Sequence, residues 1–133
     1  PWFDQSIWFW ISSPADLDAV HDAADLTRDA TAGTVSFNAL LGSGSAYAVG
    51  AVVSIAPPAG IGPLYFDQEG ALQPGASGTV AGGTSLFLNV PPGTYEALTA
   101  LDGEDCASFP GPAGPVEIEI WARAVSLVPF YCQ

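Results

Sequence analysis

From Gly33 to the C terminus, inward and outward residue types alternate with a period of two, and this pattern constrains the fold more than any other feature. Alternation of this kind places successive side chains on opposite faces of a β-strand, with one face toward a core. Glycine and proline turns separate seven such runs. Their inward positions are Val35, Phe37 and Ala39; Ala51, Val53 and Ile55; Leu64 and Phe66; Leu86, Leu88 and Val90; Tyr95, Ala97 and Thr99; Val116, Ile118 and Ile120; and Val125 and Leu127. The pattern predicts an all-β sandwich of about seven short strands.

The chain divides into two parts, an N-terminal region over residues 1–32 and the β domain over residues 33–133. A length of 133 residues suits a single hydrophobic core. Because 49% of the residues are hydrophobic, the chain can fill such a core and is not expected to be disordered.

The N-terminal region itself contains an aromatic segment and then an acidic connector. The connector opens with Ser13 and Pro14, with Asp16 two residues further on, an order typical of a helix cap, first helical residue and acidic first turn. Leu17 and Val20 share one side of a helix, and aspartates recur on the other. We expect a short amphipathic connector helix, with an extended acidic linker as the alternative.

Charge excludes two classes of partner. Fourteen acidic residues face two arginines, no lysine is present, and the formal net charge is −12. Nucleic acids and anionic membranes are therefore not expected as partners, because both require basic residues. Long stretches also carry no ionised side chain, including the one between Asp29 and Asp67. Such a surface suggests cover by neighbouring subunits or by glycans, although some extracellular domains are equally poor in charge without cover.

The two cysteines predict a disulfide and a secreted protein. Cys106 and Cys132 would close a loop of about 26 residues in an oxidising compartment. The alternative is two unrelated free thiols. The chain starts at Pro1 and contains no methionine, which agrees with the removal of a leader peptide. We expect an extracellular or cell-surface location.

Two stretches carry a resemblance to a known family. They are the run G-A-V-V-S-I over residues 50–55 and the run L-F-L-N-V-P-P-G-T-Y over residues 86–95. Together they resemble the carboxypeptidase regulatory-like family over roughly residues 32–132. The resemblance implies a seven-stranded prealbumin-like (transthyretin-like, Ig-like) sandwich that acts as an accessory or structural module without catalytic residues. The long connection over residues 56–83 departs from the family pattern, with D-Q-E-G at residues 67–70 only loosely in place of a short D-x-x-G turn.

Several polar residues admit a chemical role, but each has a simpler interpretation. The single histidine, His21, is expected to be a solvated helix residue and not a catalytic base. Glu117 and Glu119 alternate on one strand and are expected to form a polar outer face, not a glycosidase pair. Acidic clusters at residues 16–18 and 102–105 leave calcium as a less favoured possibility. We therefore predict no enzyme activity, no metal and no cofactor.

Aromatic side chains raise a second possible kind of binding. A sugar-stacking platform could be formed by Trp2, Trp8, Trp10 and Trp121 together with Tyr47 and Tyr65. For Trp121, ordinary packing within a strand is the simpler expectation.

The aromatic segment over residues 1–12 gives the sharpest functional indication. Its apolar residues are Trp2, Phe3, Ile7, Trp8, Phe9, Trp10 and Ile11. The five aromatic rings could bury roughly 750 to 1,250 Å², whereas the largest apolar patch of a monomer is about 300 to 600 Å². In an extended strand both faces of this segment would be apolar, as in a strand covered on two sides. The segment is therefore expected to be covered, by its own sandwich, by a neighbouring subunit or, less favourably, by a membrane.

Cover by a neighbour is the favoured arrangement, since a strand can add to a sheet edge or groove of another subunit. A head-to-tail contact of this kind produces an open filament unless the geometry closes a ring. The sequence thus predicts a structural subunit of an extracellular bacterial pilus-like filament, with other copies of the chain as its partners. The alternative is a monomeric carbohydrate-binding or adhesive surface module, with glycans as partners.

Overall fold

The fold consists of two β-sheets and one helix in a computed structural model that describes residues 13–42, 46–108 and 111–133. The helix is α1 (Pro14–Ala23), and the strands are β1 (Gly33–Leu41), β2 (Ala46–Tyr47), β3 (Val52–Ala56), β4 (Ile61–Phe66), β5 (Thr84–Val90), β6 (Gly93–Leu101), β7 (Glu104–Asp105), β8 (Ala107–Ser108), β9 (Val116–Ile120) and β10 (Val125–Cys132). The predictions for Trp2, Phe3, Ile7, Trp8, Phe9, Trp10 and Ile11 lie outside the described residues.

The predicted connector helix is confirmed, and it begins where the cap signal places it. The Ser13 side chain accepts a hydrogen bond from the Asp16 backbone N–H at 3.2 Å. The helix spans ten residues and is followed by Asp25, which has a φ of 56°. A left-handed residue cannot continue an α-helix, so the helix is shorter than the spacing of the aspartates suggests.

The larger sheet has the strand order β4-β5-β1-β10-β8, and β2 adds to β1. Its centre is a long parallel pair, β1 with β10, in register from Thr34 opposite Val125 to Leu41 opposite Cys132. The other strand pairs of this sheet are antiparallel. Since β10 is the last strand of the chain, the parallel pair joins the two ends of the β domain.

The smaller sheet is built around β6, which pairs antiparallel with β3, β7 and β9. Ile55 lies opposite Ala97 in the first of these pairs, and Ile118 lies opposite Tyr95 in the last. The two sheets enclose the main core, which includes the fully buried Phe37 and Phe130. This mostly β arrangement of two sheets agrees with the predicted all-β sandwich, although the described residues form ten strands where about seven were predicted.

A second apolar layer lies on the outer face of the larger sheet. Leu17 and Val20 of α1 pack there against Phe66, Leu86 and Leu88. Strand β5 therefore buries side chains on both of its faces, as a strand between two layers must. The helix is part of the packed structure and holds the start of the described chain against this sheet.

Two connections between strands form defined turns. Pro91 and Pro92 connect β5 to β6, and the Tyr95 hydroxyl donates to the Pro91 carbonyl at 2.8 Å. At the D-Q-E-G stretch, an Asp67 side-chain oxygen accepts from the backbone N–H of Glu69 at 3.0 Å and of Ala71 at 2.9 Å. Aspartate favours turns through such contacts with its own backbone. A tight turn therefore forms at this place in the long connection.

The predicted disulfide between Cys106 and Cys132 is present, with Cα atoms 4.5 Å apart. Cys132 ends β10 in the larger sheet, while the Cys106 backbone N–H donates to the Thr99 carbonyl of the smaller sheet at 2.8 Å. The bond thus links the two sheets covalently at one end of the sandwich. It agrees with an oxidising environment outside the cytoplasm.

Several positional expectations are wrong. Leu127, expected to face inward, is 38% exposed. Of the inward residues predicted for β4 and β5, Leu64, Phe66, Leu86 and Leu88 face the layer under α1, while Tyr65 and Phe87 fill the main core.

The expectations for His21 and Trp121 are also wrong. His21 is not solvated, because α1 turns it toward the sandwich and leaves it 1% exposed. Trp121 does not pack within a strand, because β9 ends at Ile120 and the indole is 63% exposed on the following turn. In both cases the position of the element, which the local sequence does not specify, decides the burial.

Candidate functional site

The predicted assembly strand lies outside the described residues. The structure can therefore be used to look for the other partner in strand addition, which is a sheet edge that could accept a strand from another subunit. An acceptor edge needs backbone N–H and C=O groups that no strand of its own chain has taken. Within the described residues the larger sheet ends at β4 on one side and at β10 with the short β8 on the other, and the smaller sheet is bounded by β3 on one side and by β7 and β9 on the other.

The edge of β3 is covered by side chains. The Val53 N–H points away from β6 and donates to the Tyr65 hydroxyl at 3.4 Å. One residue before the strand, Ala51 exchanges hydrogen bonds with Thr79, through its N–H to Oγ1 at 3.0 Å and its carbonyl to the Thr79 N–H at 2.8 Å. Burial raises the pKa of Tyr65, as expected for a phenol enclosed in this way. A strand from outside would have to displace these contacts.

The edge of β4 is also protected. Its C-terminal end is covered by the chain that follows, since Gln73 donates its backbone N–H to the Tyr65 carbonyl at 2.8 Å and Phe66 forms a bridge with Leu72. Its N-terminal half contains Pro63, which has no N–H to offer. Proline is a common means of blocking an edge strand.

In the part of the chain that the structure describes, most of the outer edge of β10 has no strand partner. Residues 124 and 132 direct their carbonyls toward β1, as shown by hydrogen bonds from Thr34 N–H to Ala124 at 2.9 Å and from Gly42 N–H to Cys132 at 2.8 Å. In a parallel ladder the intervening odd-numbered residues therefore face the opposite edge. Among the described residues, only Phe130 and Tyr131 have a strand partner there, the two-residue β8.

The part of this edge without a strand partner presents backbone groups from Val125, Leu127 and Pro129. The backbone N–H groups of Val125 and Leu127 and the carbonyl groups of all three residues point outward. Pro129 has no N–H, so it offers no further hydrogen-bond donor. Leu127 is 38% exposed and adds an apolar side chain beside the edge. We define Val125 to Pro129 as the β10 edge. The strand itself could be predicted from the sequence. The lack of a strand partner along its outer edge could not.

The other predicted site residues are not brought together. Glu117 and Glu119 are exposed on β9, and a Glu119 carboxylate oxygen accepts from the Thr94 hydroxyl at 3.2 Å. Of the rings proposed for sugar stacking, Trp121 is exposed, Tyr47 is half-buried and Tyr65 is buried. Within the described ranges no group of three metal-ligating side chains is found, and no helix is long and apolar enough to cross a membrane.

Comparison with known proteins gives no assignment. No family model matches the chain, and no curated protein matches it.

Proposed function

We propose that this protein is a structural subunit of an extracellular bacterial pilus-like filament that polymerises when residues 1–12 of one subunit add to the sheet of the next. The observation that carries the proposal is the β10 edge, where Val125 and Leu127 have no strand partner on their outer side among the described residues, while the Val53 N–H of β3 and the C-terminal end of β4 are engaged by other parts of the chain. The role is structural and not catalytic.

The β10 edge and residues 1–12 have complementary chemistry for strand addition. The β10 edge offers alternating N–H and C=O groups from Val125 and Leu127 and an exposed leucine side chain. Residues 1–12 offer a segment with one acidic residue, Asp4, and apolar side chains at most other positions. In strand addition the main chain supplies affinity and alternate side chains supply specificity. The segment satisfies both requirements.

The connection between segment and sandwich supports exchange between subunits. Residues 1–12 lead directly into α1, whose ten residues span about 15 Å along the outer face of the larger sheet. The helix therefore fixes the position of Ser13, the residue to which the segment is joined. A strand that leaves one subunit and binds a different surface on the next makes a head-to-tail contact, whose open product is a fibre.

The finer aspects of identity belong to the same proposal. We assign the sandwich to the prealbumin-like type and the chain to the carboxypeptidase regulatory-like family, on the strength of the sequence resemblance. The disulfide supports secretion, and the charge-poor surface supports cover by neighbouring subunits or by glycans.

A pair of substitutions at Leu127 tests the acceptor edge. Leu127→Pro removes an N–H that faces the edge and leaves the hydrogen bonds between β1 and β10 intact, whereas Leu127→Ala shortens the side chain and keeps the N–H. We expect the proline variant to stay monomeric and the alanine variant to assemble, measured by size-exclusion chromatography and negative-stain electron microscopy. Circular dichroism establishes that both variants are folded. Equal assembly of two folded variants would contradict a role for this edge.

A second candidate function is a monomeric carbohydrate-binding or adhesive module. It is favoured by Trp121, an indole 63% exposed on the turn between β9 and β10. Exposed aromatic faces stack on sugar rings. Binding of the monomer to a glycan array that is lost in Trp121→Ala, without any fibre formation, would favour this function over assembly.

A further inference from the structure

Both arginines of this strongly acidic chain line the same cavity. Arg28 lies in the loop after α1 and Arg123 in the turn between β9 and β10, so 95 residues of sequence separate them. They meet at a cavity of about 370 Å³ bounded by α1, the start of β1 and the end of β5. A volume of this order is within the range of small-molecule sites.

The loop that carries Arg28 is held in place from the sandwich. Asn89, near the end of β5, accepts from the Asp29 N–H at 2.9 Å through its side-chain oxygen and donates its amide to the Thr27 carbonyl at 3.0 Å. The two residues that flank Arg28 are therefore fixed by one side chain. Arg28 itself pairs through Nε with a carboxylate oxygen of Asp18 on α1 at 3.0 Å.

Arg123 is fixed from the opposite side of the cavity. Its backbone N–H donates to the Ala32 carbonyl at 2.9 Å, and its Nε lies 3.4 Å from the Ala30 carbonyl. Arg123 and Asn89 both adopt positive φ angles, 62° and 53°. Positive φ is unfavourable for arginine, and such backbone conformations are concentrated at functional sites.

Each guanidinium group uses only its Nε in these contacts. Each arginine also carries two Nη groups, whose N–H bonds can donate to a ligand. Guanidinium groups form paired hydrogen bonds with carboxylates and phosphates, and these charge-assisted bonds are among the stronger ones in proteins.

The charge of the cavity favours a monoanion. Asp29 also lines it, and hydrogen bonds from Thr31 lower the pKa of this carboxyl, so it is ionised at neutral pH. The lining holds two arginines and one aspartate, and Asp18, which pairs with Arg28 beside the lining, brings these charges into balance in a chain of −12. The Asp29 carboxylate would repel a phosphate dianion more strongly than a ligand with a single carboxylate, because the dianion carries twice the negative charge.

His21 also lines the cavity, but its ring nitrogens do not bind a carboxylate. The Nδ1 of His21 lies 2.7 Å from the Leu17 carbonyl, so the ring donates there. Its Nε2 then carries no proton, and it is buried without a hydrogen-bond partner among the described residues.

We propose that this cavity binds a small organic carboxylate of single negative charge, held between the guanidinium groups of Arg28 and Arg123. The lining shares no residue with the β10 edge, which begins directly after Ala124, and the proposal does not rest on filament assembly. Asn89 acts as a positioning residue, because it fixes the loop on both sides of Arg28.

Isothermal titration calorimetry of the full chain with sodium D-glucuronate tests this site, with D-glucose and phosphate titrated at matched ionic strength. We expect saturable binding of glucuronate, and a loss of affinity of about tenfold or more in Arg28→Gln and in Arg123→Gln, since each removes a charged hydrogen-bonding group. Gln68→Glu provides the matched control, because it changes the net charge by the same amount beyond the other end of β5. It should leave the affinity unchanged.

A second variant separates binding from folding. Arg123→Gly relieves the positive φ and should keep or raise the melting temperature while it abolishes glucuronate binding. The proposal is overturned if glucuronate does not bind saturably, if glucose or phosphate binds at least as tightly, or if Gln68→Glu weakens binding as much as Arg123→Gln. Unchanged affinity in Arg123→Gly would equally overturn it.

Discussion

Replacement of Phe37 by alanine is expected to reduce the free energy of unfolding by about 3 to 5 kcal/mol, the usual cost of removing a phenyl ring from a core. Phe37 is fully buried on the central strand β1. Its ring centroid lies 5.8 Å from that of Phe87 and 6.1 Å from that of Phe130. The three rings come from three neighbouring strands of the larger sheet, so the cavity would lie where those strands join.

Urea denaturation followed by far-ultraviolet circular dichroism measures this loss. Phe37→Leu keeps most of the volume and should cost much less, about 1 kcal/mol. Leu127→Ala, at an exposed position, should cost less still. A cost for Phe37→Ala no greater than that of Leu127→Ala would contradict the packing described for the core. Because small domains have a total stability of about 5 to 15 kcal/mol, Phe37→Ala is expected to bring the protein close to unfolding.

Removal of the disulfide is expected to cost about 3.5 kcal/mol, the chain-entropy estimate for a loop of 26 residues. Both half-cystines are buried, and the bond is the covalent connection between the two sheets. Its loss also frees the two-residue β8, which pairs with Phe130 and Tyr131. We therefore expect the end of the sandwich near Cys132 to open first in the reduced protein.

The urea midpoints of the wild type and of the Cys106→Ala, Cys132→Ala double variant measure this contribution. Reductant should lower the midpoint of the wild type and have no effect on the double variant, which serves as the control. An unchanged wild-type midpoint after complete reduction, verified by thiol counting, would show that the bond does not stabilise the fold. Amide hydrogen exchange would locate the opening at residues 130–132.

The β-strands could be predicted from the sequence because their burial follows a local pattern. In β3 the buried residues Val53 and Ile55 alternate with exposed Val52, Ser54 and Ala56, and one face of the strand packs on the core. The start of α1 was predictable for a similar reason, since the cap is formed by residues three apart in the chain. Local chemistry is sufficient in both cases.

Features set by the packing of distant elements could not be predicted in this way. His21 is buried only because α1 lies on the outer face of the larger sheet. The cavity between Arg28 and Arg123 depends on Asn89, which is separated by about 60 residues from the loop that it holds. The β10 edge has no local signature either, apart from Pro129, whose missing N–H faces outward.

The same distinction applies to function. The aromatic segment of residues 1–12 indicates assembly through its composition, whereas the acceptor edge and the arginine cavity are visible only in the folded chain. The proposed assembly and the proposed ligand binding rest on different residues, so we expect that each can be lost by substitution without the other. Leu127→Pro should still bind glucuronate, and Arg123→Gln should still assemble.

Electron microscopy of the purified full chain beside a chain of residues 13–133 tests the central claim most directly. The full chain is expected to form filaments, and the shortened chain, shown to be folded by circular dichroism, is expected to remain monomeric and to bind a synthetic peptide of residues 1–12. A full chain that stays monomeric at high concentration, or a shortened chain that forms the same filaments, would contradict assembly through the N-terminal strand.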